Sequence, residues 1–150
     1  MSITLTIIQN DVLNEVAQTA EYTGDKMTED SGAYERIRIV DENKDELKRF
    51  WDECRAEVAK AFARLLASES MSSTTYILVL NVSTAFDSAL TQSMELGLKS
   101  YFVQSIVARW YVYANKKEAT EYAARAAALL DEVREKAYFK KKPTKPSWYN

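Results

Sequence analysis

The stretch Gln104–Tyr138, QSIVARWYVYANKKEATEYAARAAALLDEVREKAY, decides the fold, because it holds the end of one helical pattern, a break, and the whole of another. The first pattern starts upstream. Phe86, Leu90, Met94, Leu98, Tyr101, Phe102, Ile106, Trp110 and Tyr113 recur at steps of three and four, as on one face of a helix that Ser83 or Thr84 is placed to cap. Asn115, with Glu118 three positions on, reads as a tight break and a variant of the capping box. Beyond it Ala119, Tyr122, Ala126, Leu129, Val133 and Ala137 keep one phase, and the alanines predict a close antiparallel hairpin with the preceding helix. The first stripe is broad, which predicts contacts on two sides, one of them a candidate contact with another subunit.

Upstream lies the clearest helix of the chain. Asn43 and Glu46 fit a capping box, and Leu47, Phe50, Trp51, Cys54, Val58, Ala61, Phe62 and Leu65 trace one face. Running from about Lys44 to Ser68, it would span on the order of 37 Å. Ser68–Thr75 (SESMSSTT) reads as a turn-rich interruption, and Tyr76–Val82 (YILVLNV) as a strand. That strand needs a partner, and Ile3–Ile7, Ile37–Val40 and a neighbouring subunit are the candidates. At the N-terminus Ile3, Leu5 and Ile7 alternate with Thr4 and Thr6. Asn10 or Asp11 then caps a helix whose inward residues are Val12, Leu13, Val16, Ala17 and Ala20, with Gly24 placed to stop it near Thr23. Asp25–Glu35 reads as an exposed loop, and Arg36–Val40 (RIRIV) alternates like a short strand. The expected fold is mainly α: a four-helix bundle-like domain over residues 1–139, with two long amphipathic helices, a C-terminal helical hairpin and a small β element. A basic, Pro-containing arm, 140–150, follows it.

Composition narrows the chemistry. The 150 residues fit one domain with its own core. With no His, neither Ser-His-Asp nor Cys-His pairs can be assembled, nor the carboxylate–His sites of di-iron bundles. One Cys excludes an intrachain disulfide and any multi-Cys zinc site. Three scattered glycines, Gly24, Gly32 and Gly97, write no phosphate-cradling loop. Apolar runs fall short of the roughly 20 residues of a membrane span, and Met1–Ile8 lacks a basic region and a small-residue cleavage site, so neither a membrane span nor a secretory signal is expected.

Net charge is −2, but it divides unevenly along the chain: residues 1–35 carry seven acids against Lys26, whereas 140–150 carry four lysines and no acid. Such ends are either solvated termini or complementary docking surfaces. Glu53 and Glu57, four apart on one helix, are a candidate carboxylate pair, more simply read as surface charge. Cys54 falls in phase with Phe50, Trp51 and Val58, which reads as core. Tyr101, Phe102, Trp110, Tyr111 and Tyr113 read as core before pocket. No catalytic, cofactor or metal site is expected. The residues singled out for partner binding are Lys140, Lys141, Lys142, Pro143, Lys145, Pro146, Trp148 and Tyr149. They mix cations and aromatics, as single-stranded nucleic-acid binders and partner-ordered arms do.

The helix ending in QSIVARWYVYANK (Gln104–Lys116), the return EATEYAARAAALLDEVREKAY (Glu118–Tyr138), the strand-like YILVLNV before them and the tail KKKPTKPS (Lys140–Ser147) resemble bacteriophage head–tail connector proteins, the adaptor or ring proteins beneath the portal. The resemblance covers the second half of the chain. It implies a structural virion protein without catalysis, made in the host cytoplasm and placed in the neck. It further implies a homo-oligomeric ring, often dodecameric, held to the portal by the C-terminal arm. Tail or further ring proteins would follow below it, and double-stranded DNA would pass through the lumen as non-specific cargo. The subunits would then pack through the broad stripes of the second and third helices. A small soluble helical module for protein–protein interaction or regulation is the alternative.

Overall fold

The Tyr76–Val82 pattern finds its partners inside the chain. In the computed structural model, which describes residues 1–26, 32 and 38–142, β1 (Ser2–Ile8) and β2 (Leu66–Ser72) flank β3 (Thr75–Asn81) in an antiparallel sheet of order β1-β3-β2. The register, Ile3↔Leu80, Leu5↔Leu78 and Ile7↔Tyr76, puts the apolar set of both strands on one buried face. Thr4 and Thr6 stay exposed on the other.

The helices are α1 (Gln9–Lys26), α2 (Lys44–Ala61), α3 (Thr91–Ala114) and α4 (Lys116–Ala137), so the fold is mainly helical with a small sheet, as expected. α1 buries Val12, Val16 and Ala20, and runs on past Gly24 to Lys26. Residues 38–40 belong to no strand, and most of the expected loop Asp25–Glu35 lies outside the described residues. Asn43 precedes α2 without capping it. Its Oδ1 instead accepts the backbone N–H of Val40 at 3.0 Å, so the expected capping box is not formed.

α2 is shorter than its periodicity suggests. Phe62 is buried, but its N–H closes the last turn on Val58 O, and the chain swings so that Leu65 O accepts from Asn81 N–H at 2.7 Å. Ser68–Ser72, expected as part of an interruption, therefore forms most of an edge strand beside β3, with a bulge between Leu66 and Ser68. Pairing the otherwise open edge of β3 outweighs a further helical turn. Arg55 on α2 ties β2 down by a fork onto Glu69, Nη2–Oε1 2.9 Å and Nε–Oε2 3.2 Å.

α3 also begins later than expected. Phe86 is buried from a loop rather than a helix, and Asp87 Oδ1 caps the short 3-10 turn Ser88–Leu90 by accepting from Ala89 N–H. From Thr91 on, α3 is the central element of the fold. It buries Met94, Leu98, Phe102, Ile106 and Tyr111 completely, along with residues on its flanks such as Val103, Val107 and Ala108. Its broad stripe is covered by the sheet, α1, α2 and α4 of the same chain. The stripe of α2 is likewise internal, with Trp51 stacked on Phe102 at 4.4 Å and edge-on to Tyr76. The two stripes through which side-by-side subunit packing is expected are occupied within the chain, Tyr113 of α3 excepted. α4 folds back antiparallel on α3 after the single residue Asn115, burying Ala119, Ala126, Val133 and Ala137. The approach is so close that a Cβ on Gly97 would stand 2.7 Å from Val133 Cγ2.

These directions give the molecule two ends. Thr6 meets Glu95 and Glu15 meets Lys99, so β1 and α1 advance with α3, whereas the pairs Phe50–Tyr113 and Glu53–Arg109 run α2 against it. One end thus gathers the close of α2, the start of α3 and the close of α4. There the chain is stitched by backbone bonds: Phe86 bridges Lys140, and Lys141 N–H donates to Ala85 O at 2.8 Å.

Candidate functional site

α2 and α4 both lean on α3 but touch each other little, and a valley runs between them. Its middle is a cleft of about 520 Å³. Tyr101, Ser105, Ala108, Arg109 and Val112 of α3 form the floor. The stripe Ala119, Ala123, Ala126, Ala127 and Leu130 of α4 forms one wall. Glu57 of α2 and Asp131 of α4 stand on opposite rims. The valley continues toward the end that carries the arm as a second concavity of about 560 Å³, between Lys60, Ala63 and Arg64 on one side and Arg134, Glu135 and Tyr138 on the other.

The polar floor is held from beneath. Arg109 is half-buried, its Nη1 donates to Glu53 Oε2 at 3.1 Å, and its Nε–H is shielded from water with no acceptor. Cys54 lies fully buried beside it; burial pushes the thiol up, and Ser105 and Arg109 only partly offset this, so the sulfur stays a neutral core group. Burial likewise pushes the Tyr101 hydroxyl up to about 12, with the neighbouring Cys54 adding to it. The floor therefore offers hydrogen-bonding groups, one cation and no activated nucleophile.

The candidate pair Glu53 and Glu57 is split by this arrangement. Glu53 bridges to Arg109, and Glu57 stands alone on the rim. Among the described residues no group of three His, Cys, Asp or Glu side chains could hold a metal ion, and no helix is long and apolar enough to cross a membrane. Of the aromatic group, Tyr101, Phe102, Trp110 and Tyr111 are buried, while Tyr113 is 66% exposed and stacks flat on Phe50. Lys140, Lys141 and Lys142 are all exposed, beside the Ala85–Phe86 segment that precedes α3. Pro143, Lys145, Pro146, Trp148 and Tyr149 lie outside the described residues.

Sequence reasoning did not single out Lys60, Arg64, Arg134 or Tyr138. A signal existed for the first pair: spaced i,i+4 at the close of a helix and off its apolar stripe, they had to share an exposed face. That they face Arg134 and Tyr138 depends on the α2–α4 separation, which no local pattern encodes. No known family, curated protein or solved structure matches the chain.

Proposed function

We propose that the protein is a non-catalytic assembly subunit of the virion neck, a head–tail connector that forms a ring around the DNA channel, with the portal on one side and tail or ring proteins on the other. The observation that carries this reading is the rooting of the basic arm. Lys140 and Lys141 are fixed by backbone contacts to Phe86 and Ala85, so Lys142 leaves from a defined point at one end of a core that is otherwise complete. An arm anchored this way suits a subunit that must present it in one direction, toward the portal. The core's own stripes are used internally. Ring contacts then fall on the remaining surfaces, the solvent face of the sheet among them.

The test is molar mass in solution, alone and with portal protein, followed by particle images. Rings with portal, and their loss on deleting residues 142–150 from a chain that still folds, are the expected results. A truncated chain that joins portal at full stoichiometry overturns the arm's role, and a chain that stays monomeric with portal present overturns the ring.

A further inference from the structure

Seven cations of the described residues, Arg49, Arg55, Lys99, Arg109, Arg125, Arg134 and Lys136, are held by a neighbouring carboxylate. Among the described residues Lys60, Arg64, Lys140, Lys141 and Lys142 find no carboxylate partner, and all five sit at the end of the molecule where α2 and α4 close. Lys48, Lys116 and Lys117 also lack a carboxylate partner among the described residues, but they stand toward the far end, near the starts of α2 and α4. Lys60 and Arg64 face Arg134 across the second concavity. Arg134 is only loosely held, 3.6 Å from Asp131, and Glu135 is the single acid lining the space. Three cations thus converge on a concave surface that carries one acid, and an anionic occupant relieves the repulsion among them.

The aromatic neighbours indicate which anion. Tyr138 lines the same concavity at 50% exposure, Phe139 follows at 52%, and the lysine run begins at the next residue. Acidic side chains need only the cations, and a stacked duplex hides its base faces. A single strand offers both phosphates and free base faces. We infer that the mouth of the α2–α4 valley binds single-stranded nucleic acid, with Lys60, Arg64 and Arg134 on successive phosphates and Tyr138 as a stacking platform. This holds or fails independently of the neck role.

The probe is a fluorescent thymidine oligonucleotide of about 15 residues, titrated by anisotropy with the full chain. A Kd in the range of about 1–100 µM that weakens steeply with salt is expected. The Lys60→Glu/Arg64→Glu variant should bind at least tenfold more weakly. The milder Lys60→Ala/Arg64→Ala variant should lower the log–log salt slope by roughly 1.4, at about 0.7 per lost phosphate contact. Tyr138→Ala should lose about tenfold by removing one stacked base, while Tyr138→Phe, which keeps the ring, should bind as the parent does. All of these side chains are solvent-accessible, and circular dichroism of each variant checks that it folds. Three results would each overturn the assignment: no salt-dependent binding, binding indifferent to the Lys60/Arg64 changes, or duplex DNA or a poly-glutamate peptide binding as tightly as the single strand.

Discussion

α3 is packed on two sides by opposite means. Toward α2 and the sheet it presents rings: Phe102 lies 4.4 Å from Trp51 and 5.6 Å from Tyr76, and Tyr101 packs edge-on to Phe102. Toward α4 it closes at Gly97, where the alanines of α4 let the backbones approach until Val133 fills the gap. Large rings hold α2 off, while small side chains draw α4 in. The valley is what remains between a neighbour held far and a neighbour held near. Incomplete packing between α2 and α4 thus follows from complete packing of each against α3.

The ring side should be the costlier to damage. Trp51→Ala removes the centre of the aromatic cluster and should destabilise by about 3–5 kcal/mol, read as a lower denaturation midpoint in urea with the slope unchanged. An effect under about 1 kcal/mol would mean that the cluster does not set the α2–α3 spacing. Gly97→Ala probes the other side. The added methyl must push Val133 away and should cost about 1–3 kcal/mol. The double change Gly97→Ala/Val133→Ala should recover part of that loss, and strict additivity of the two single costs would deny the contact. The smallest effect belongs where a ring stands on the α4 side, at Tyr111, which packs edge-on to Tyr122 at 5.2 Å. Burial pushes its hydroxyl up to about 12, so the folded state holds that proton through a range where the unfolded chain, near 10, has lost it. The stability this contributes is complete below pH 10 and fades as pH rises toward 12. Tyr101, raised similarly, fades over the same range. Tyr111→Phe should flatten the alkaline decline seen by denaturant titration from pH 9 to pH 12; an unchanged decline would assign it to other groups.

Much of this contrast was legible before any coordinates. The phases of α2 and α4 and the apolar run of β3 are clear local signals, the alternation of β1 is a short one, and the alanines of α4 point to its close approach. β2 was not legible. Leu66–Ser72 has three serines and a glutamate, carries no alternation, and is a strand only because β3 needs a second edge. The same demand cut α2 short, against a periodicity that ran on through Leu65. Phe86 kept the spacing of α3 yet lies in a loop, where burial satisfies the same apolar side chain without helix. The breadth of the α3 stripe was visible, but periodicity measures how much of a helix is covered and not by which chain. For the site, the arm lysines stood out as a run. Lys60 and Arg64, about eighty residues earlier, share their end of the molecule only because α2 and α4 both run against α3.

The register of the sheet also has a kinetic consequence. β2 and β3 are joined by the two residues Ser73 and Thr74, and α3 and α4 by Asn115, so both hairpins close over short loops. β1 pairs from Ser2↔Asn81 to Ile8↔Thr75, across nearly half the chain. On a ribosome the first strand made must wait until α1, α2 and the hairpin that completes it have all emerged. The alternation of β1 is thus one whose partner arrives late, and in the interval its Ile-Leu-Ile face and its unpaired backbone are open to other chains.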